Sequence, residues 1–291
     1  MVETVSSPAD KLSQRAMGAL GKLPPFSPIL NKILASLAGE DVSFAKLGDL
    51  IEKDTVVAGN ILHLVNSALY ARRATITSVR HALALLGMDK VRNALLGMSI
   101  SRMWSQVKTP PAWSMARFNR HSASVAVLSD HIASRVRADY PEGAFVGGLL
   151  HDLGRLLIAL GLPDEFTHLV KLHEQSDRSW TECERELLGF THADLSADAL
   201  AKWKFPDQVQ IAVRDHHRPP AFHAGGTMPL STVIDAANQY VNSTGESIVA
   251  AKLVGSEDAG AIAALGIPEE KLGKLVADFR AEQSAMAAFF K

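Results

Sequence analysis

The longest apolar stretch of the chain, Ala144–Leu162, contains a histidine and an aspartate side by side, His151 and Asp152. Arg155 follows on the next helical turn. Three ionisable groups make the stretch too polar for a membrane span, so we expect a buried helix of the core. Burying the His–Asp pair without partners costs several kcal/mol. The fold must therefore surround this pair with a metal ion or with a polar network.

Helical periodicity dominates the chain. One stripe recurs at steps of three or four residues, and its members are His121, Val125, Leu128, Ile132 and Val136. The stripe predicts a long helix over residues 113–138 with His121 on its buried face. No alternating, β-branched run is long enough to predict a strand. We therefore predict an all-α protein.

Prolines predict where the next helices start. Pro141 is expected to begin the helix that carries His151 and Asp152 and ends near Gly161. Pro206 is expected to begin a helix that runs to the paired histidines His216–His217, before two further prolines end it.

Composition limits the cellular setting. The 291 residues carry a formal net charge of −1, so no overall field attracts nucleic acid or an anionic membrane. The single cysteine, Cys183, cannot form an intramolecular disulfide. The polar N-terminus does not resemble a signal peptide. We expect a cytoplasmic protein without a membrane segment, and nucleic-acid binding is not favoured.

Several polar side chains occupy helix positions that favour apolar groups. They are His121, His151, Asp152, His192, His216, His217 and Asp235. Each histidine alone is more typical of a hydrogen-bonded core residue than of a ligand. Together, imidazole and carboxylate groups suit Fe, Mn, Zn or Ni, as one or two ions. Two neighbouring metals can activate water for phosphoester hydrolysis.

This constellation resembles the HD superfamily, named for its adjacent His–Asp pair, and most closely its HDOD branch. The resemblance covers roughly residues 20–240. It rests on these segments: Leu23-Pro24-Pro25, Asn66-Ser67-Ala68-Leu69-Tyr70 with Ile76-Thr77-Ser78, Ala144 to Arg155, His192, and Trp203-Lys204-Phe205-Pro206 through His216-His217.

The resemblance implies a site. The superfamily pattern makes His121, His151, Asp152 and Asp235 the core ligands, and His192, His216 and His217 match additional histidines of two-metal members. Cyclic-di-GMP phosphodiesterases of the HD-GYP branch carry a Gly-Tyr-Pro segment after their paired histidines, and this chain does not. They also tend to have a lysine at the position of Arg155, which can bind phosphate but is a poor general acid.

The HDOD branch is generally regarded as a signalling module without established catalysis. We therefore expect a bacterial regulatory module that binds a signalling protein or a nucleotide-type ligand, with its HD site structural or ligand-sensing. The alternative is a metal-dependent phosphohydrolase acting on nucleotides or cyclic dinucleotides, with Asp152 and Arg155 as catalytic residues.

The expected architecture has two helical lobes. They are an N-terminal lobe over residues 1–110, with a lead-in over 1–20, and an HD-type bundle over 111–241. Residues 242–291 form a C-terminal helical extension outside the resemblance. Its apolar stripe predicts docking on the main core, with a homodimer contact as the alternative.

Overall fold

The computed structural model describes residues 7–37, 44–67, 70, 75–222, 226–248 and 258–286, without the side chains of residues 36, 37 and 44. Within these ranges the regular elements are helices, together with one isolated parallel bridge between Ala138 and Met228. The all-α prediction is confirmed. Residues 68 and 69 of the second resembling segment lie outside the described residues.

Six α-helices come first along the described chain. They are α1 (Pro8–Gly18), α2 (Pro28–Leu37), α3 (Phe44–Glu52), α4 (Thr55–Val65), α5 (Val79–Leu86) and α6 (Met88–Trp104), with a 3-10 turn at Ala19–Lys22 after α1. Local capping explains several starts: the side chains of Ser7, Asp54 and Ser78 accept hydrogen bonds from the first turns of α1, α4 and α5.

Eight helices follow, and the polar positions noted above lie on them or in the turns between them. They are α7 (Met115–Ala133), α8 (Ala144–Leu150), α9 (Leu153–Gly161), α10 (Pro163–Gln175), α11 (Trp180–Leu188), α12 (His192–Lys202), α13 (Asp207–Arg214) and α14 (Leu230–Ser243). Helix α7 packs against α6, α8 and α14, and α12 packs against α9 and α13. The C-terminal segment adds α15 (Gly260–Ala263) and α16 (Glu269–Met286), which packs on α7.

The buried apolar side chains form one contiguous core that runs from Ala16 on α1 to Met286 on α16. The C-terminal helix joins it through Leu275 and Phe279, and the Phe279 ring lies 6.0 Å from that of Tyr240. This helix is docked on the main core, as its apolar stripe predicts. The division into lobes and the homodimer stay predictions.

The helix predicted from Pro141 to Gly161 is instead interrupted at the His–Asp pair. A 3-10 turn at Pro141–Gly143 leads into α8, which ends at Leu150, and α9 begins at Leu153. Asp152 has φ −101° and ψ 12°, outside the helical region, and precedes α9. Both side chains of the pair reach the same centre, with Nε2 of His151 lying 3.4 Å from Oδ2 of Asp152.

The interrupted segment also bears on the membrane expectation. By length and composition, Pro141–Gly161 passes as a membrane span, so its polarity does not exclude one. The segment is nevertheless 94% buried inside the protein. Burial of this kind is typical of a core helix in a soluble protein.

The paired histidines also differ from the predicted helix. Helix α13 ends at Arg214, so His216 and His217 lie in the turn that follows. The backbone leaves the helical region at Asp215, with φ −97° and ψ 5°, where its N–H donates to the Ile211 oxygen.

Candidate metal centre

Five side chains from four parts of the fold converge on one buried point. His121 comes from α7, His151 and Asp152 from the break between α8 and α9, His192 from the first turn of α12, and His216 from the turn after α13. Each is at most 1% exposed. His217 joins them from a partly exposed position.

Two glycines allow these elements to approach so closely. A Cβ at Gly148 would lie 2.9 Å from the Cα of Ala126, so the glycine lets α8 touch α7. A Cβ at Gly154 would lie 2.0 Å from the backbone oxygen of His192. Real side chains do not tolerate such distances, so glycine at 154 is what brings α9 against the start of α12. The Gly154 N–H donates to the Ser196 hydroxyl at 2.8 Å.

Three ligand atoms form a first group, which we call site A. The Nε2 atoms of His121 and His151 are 3.4 Å apart. Oδ2 of Asp152 lies 3.6 Å from the first and 3.4 Å from the second. Two ligands about 2.1 Å from a metal ion are typically about 3.0–3.4 Å apart, so site A is close to the size that an ion requires.

A second group, site B, uses the other oxygen of the same carboxylate. Nε2 of His192 lies 2.9 Å from Oδ1 of Asp152 and 3.0 Å from Nε2 of His217. Nε2 of His216 is 4.0 Å from the same oxygen. Asp152 therefore belongs to both groups, one through each of its carboxylate oxygens.

Each buried histidine of the centre is oriented by a hydrogen bond at its Nδ1 atom. The acceptors are the backbone oxygens of Glu246 for His121 (2.7 Å), Gly148 for His151 (2.7 Å) and Val213 for His216 (2.6 Å), and the Glu184 carboxylate for His192 (2.7 Å). A backbone carbonyl can only accept, so Nδ1 carries the proton and, in the neutral ring, Nε2 carries a lone pair. Metal-bound histidines typically show this arrangement.

The centre is consequently rich in acceptors that face one another. In site A two lone pairs and a carboxylate oxygen converge without a donor among them. Among the described residues, the buried Nε2 of His216 has no hydrogen-bond partner. Convergent acceptors of this kind are stabilised by a cation, so the residues present fit a metal ion.

Burial and neighbouring charges set the protonation of these groups. Burial, reinforced by nearby imidazoles, lowers the pKa of His121 to about 4 and that of His217 to about 2, and holds the pKa of His216 well below its usual value. All three rings are therefore neutral at neutral pH, as ligands must be.

Two groups have pKa values that charged neighbours dominate. Burial alone would raise the pKa of Asp152, but Arg155 and the imidazoles hold it well below the usual range. Burial alone would lower the pKa of His192, but the charges of Glu184 and Asp152 together outweigh burial and raise that pKa. Asp152 is thus an anion at the centre of the site.

Arg155 lies beside the shared carboxylate. Its Nε donates to Oδ1 of Asp152 at 3.0 Å, and its guanidinium stands 5.3 Å from the centre of the Trp180 ring. The side chain is 12% exposed. Arginine therefore orients Asp152 and contributes a fixed positive charge next to site B.

Asp235 is not part of either ligand group among the described residues. It lies on α14, partly buried, and its Oδ2 accepts from Gln239 at 2.9 Å. Burial raises its pKa. The structure thus brings together six of the seven predicted ligands and leaves Asp235 paired elsewhere, so its ligand role stays a prediction.

Glu184 is a site residue that the sequence analysis missed. It is fully buried, and its two oxygens accept from the Trp180 indole and from both the backbone N–H and Nδ1 of His192. The available signal is its position on α11, where it shares the buried face with Trp180, Cys183 and Leu188. A glutamate on such a stripe requires a buried donor, which here is His192.

Comparisons with known proteins agree with this architecture. A model of the HDOD domain matches residues 23–219. A curated protein of Treponema pallidum (strain Nichols) is 22% identical over 241 residues, which cover 81% of this chain and 45% of that protein. The chain therefore spans less than half the length of this relative.

Solved structures show the same fold. An HDOD domain protein from Geobacter sulfurreducens has a TM-score of 0.74 and 23% identity, with 96% of this chain and 97% of that chain covered. A protein from Shewanella amazonensis SB2B, named as a candidate phosphohydrolase, has a TM-score of 0.72 and 20% identity, with 95% of this chain and 98% of that chain covered. A protein from Marinobacter aquaeolei VT8, named as a candidate signal transduction protein, has a TM-score of 0.70 and 21% identity, with 97% of this chain and 65% of that chain covered. At these identities the likeness to solved structures shows the fold alone. Because the family model matches more than half of the residues, the chain belongs to the HDOD family.

Proposed function

We propose that this protein is a regulatory module of signal transduction whose buried His–Asp centre holds a divalent transition metal without turning over a substrate. The observation that supports this proposal most strongly is the burial of the centre, since five of the six converging side chains are at most 1% exposed. A catalytic metal needs a coordination position that substrate can reach, and side chains this deeply buried leave substrate little access.

Site A provides three protein ligands from two parts of the chain, His121, His151 and Asp152. Site B adds His192, His216 and His217 around the same aspartate. A bound divalent metal would supply positive charge to the converging acceptors and would link α7, the α8–α9 break, α12 and the turn after α13. Fe, Mn, Zn and Ni suit this imidazole-rich set better than Ca or Mg.

Charge balance also favours a non-catalytic centre. Asp152 is the single carboxylate within both ligand groups of the described residues, and Arg155 already offsets its charge. Two dications would therefore leave a large excess of positive charge in a buried place, which is costly. One tightly held ion fits the residues better than two.

The regulatory output would be the binding of a signalling protein or of a nucleotide-type ligand. Support for this part comes from the family and from the signal-transduction name of the Marinobacter neighbour. The chain would act in the cytoplasm, in keeping with its single reduced cysteine.

A second candidate is a metal-dependent phosphohydrolase, and one observation favours it. Asp152 presents a separate oxygen to each of two ligand groups, as a bridging ligand does. Metals bound there would activate water and stabilise a leaving oxygen. Arg155 would hold the substrate phosphate through its terminal nitrogens while its Nε orients Asp152.

The two functions differ in a direct test. Protein prepared without a chelating tag is analysed for metal and then assayed with Mn²⁺ or Fe²⁺ on bis(p-nitrophenyl) phosphate and cyclic-di-GMP. We expect about one ion per chain, which Asp152→Ala abolishes, and no hydrolysis above that variant. Metal-dependent hydrolysis that Asp152→Ala abolishes would establish the phosphohydrolase instead. Protein that neither contains nor takes up metal would contradict both.

A further inference from the structure

The C-terminal helix is connected to the metal centre by a chain of hydrogen bonds that the family match does not include. Gln283 on α16 donates from Nε2 to the Glu246 carboxylate at 2.9 Å and to the Ser124 hydroxyl at 2.7 Å. Glu246 in turn accepts from Nδ1 of His121 through its backbone oxygen. Gln283 and Glu246 both lie beyond residue 219, where the HDOD match ends.

The loop that carries Glu246 is held at two points on α7. The Glu246 side chain accepts a hydrogen bond from the Ser124 hydroxyl at 2.6 Å. The Glu246 backbone oxygen accepts from His121, one turn earlier on α7. Ser124 is 1% exposed, so these bonds are shielded from water. The side-chain bonds therefore fix the position of the carbonyl that faces His121.

Helix α16 is itself anchored by charge next to Gln283. Glu282 is 6% exposed and accepts from Lys90 at 2.8 Å and from His131 on α7 at 2.8 Å. Further along, Arg135 pairs with Asp278 at 2.6 Å. Lys90 on α6, His131 on α7 and Arg135 just after α7 thus hold α16 in register, so Gln283 has a fixed place beside Glu246.

His121 differs from the other ligands in where its support comes from. His151 and His216 are supported by carbonyls three residues earlier, so their own local backbone sets the ring. The carbonyl that supports His121 is 125 residues away in sequence. The tautomer of this one ligand therefore depends on the C-terminal segment.

We propose that Gln283 and Glu246 are positioning residues through which the C-terminal helix holds His121 in the tautomer that site A requires. The inference rests on the proposed metal site. It makes the C-terminal segment part of the centre: with the relay intact, Nε2 of His121 presents its lone pair to site A. With the relay broken, the ring is free to place its proton on Nε2, where it blocks the ion.

The test uses Glu246→Ala, which removes both side-chain anchors of the loop, and Gln283→Met, which removes one donor at similar volume. Ser284→Ala is the matched control, because Ser284 is the next residue on α16 and is exposed. The first measurement is the tautomer of His121 by ¹⁵N NMR of imidazole-labelled, metal-free protein. The second is the affinity for Co²⁺ alone, followed by its absorption spectrum.

In wild type and Ser284→Ala we expect the Nδ1–H tautomer at His121. In Glu246→Ala and Gln283→Met we expect a mixed tautomer and about 10–100-fold weaker Co²⁺ binding, the usual loss when an outer partner of a ligating histidine is removed. Unchanged tautomer and affinity in both variants would overturn the proposal. So would weaker binding with the wild-type tautomer, which would mean a merely structural role.

The NMR result also separates this proposal from the proposed function. A tautomer shift in the variants with no Co²⁺ binding by wild type would uphold the relay and overturn the metal site. If Glu246→Ala does not fold, Gln283→Met alone decides the outcome, because it retains the Glu246–Ser124 bond.

Discussion

Replacing Glu184 by glutamine tests how the site is supported from behind. Glu184 is fully buried, and its Oε1 accepts from Trp180 at 2.8 Å while Oε2 accepts two bonds from His192 at 2.9 and 2.7 Å. Glutamine has the same shape but a single acceptor oxygen. Its best orientation keeps the two bonds to His192 and turns an NH₂ group against the Trp180 indole N–H.

The magnitude follows from this count. One hydrogen bond to a charged group is lost, worth about 1.5–3 kcal/mol, and a buried donor is left without a partner. We therefore expect Glu184→Gln to lower the free energy of unfolding of metal-free protein by about 2–3 kcal/mol, measured by urea denaturation with a chelator present. Because His192 loses a charged partner, metal affinity should also fall about 10–100-fold.

Glu186→Gln is the matched control on the same helix. Its side chain is 53% exposed and pairs with Arg178 at the surface, so we expect a change of at most about 0.5 kcal/mol and unaltered metal binding. Equal stability and equal metal affinity in Glu184→Gln and Glu186→Gln would refute the argument that Glu184 supports His192.

Three further outcomes are expected. Gly154→Ala should destabilise the protein by about 1–3 kcal/mol and weaken metal binding, because the new Cβ would lie 2.0 Å from the His192 backbone oxygen. Gly59→Ala on α4 is the control: its Cβ would meet open space, so thermal denaturation should show a neutral or slightly stabilising effect. Glu282→Gln should lower the free energy of unfolding by about 1–3 kcal/mol at neutral pH. Because its bonds to His131 and Lys90 lower the pKa of Glu282 below 4.5 despite burial, this difference from wild type should shrink in urea titrations below pH 4.5. A difference that stays constant with pH would contradict this expectation. Chelation should lower the melting temperature of wild type but not of Asp152→Ala, as binding to the folded state alone requires.

The fold class follows from the sequence because helical periodicity is a local property. The stripe that includes His121 predicted the buried face of α7, which extends over Met115–Ala133. The break between α8 and α9 could not be predicted this way. Gly148 and Gly154 on either side of it pack against α7 and the start of α12, and periodicity does not record which helices touch.

The centre shows the same limit. Histidines and aspartates on apolar faces indicate a buried polar site, and six of the seven predicted residues do lie together. Asp235 was carried over from the family pattern, and in this structure it pairs with Gln239. Glu184 was missed because it lies among other charged residues, Glu182, Arg185 and Glu186, and the Glu246 carbonyl because a backbone group has no sequence signature.

We propose that a metal ion occupies the acceptor cluster around Asp152. Anomalous diffraction at the metal edge, from tag-free crystals grown with Mn²⁺ or Fe²⁺, tests it most directly. We expect a peak within bonding distance of Nε2 of His121, Nε2 of His151 and Oδ2 of Asp152. Ordered side chains in these positions with no anomalous peak between them, at ion concentrations well above micromolar, would contradict it.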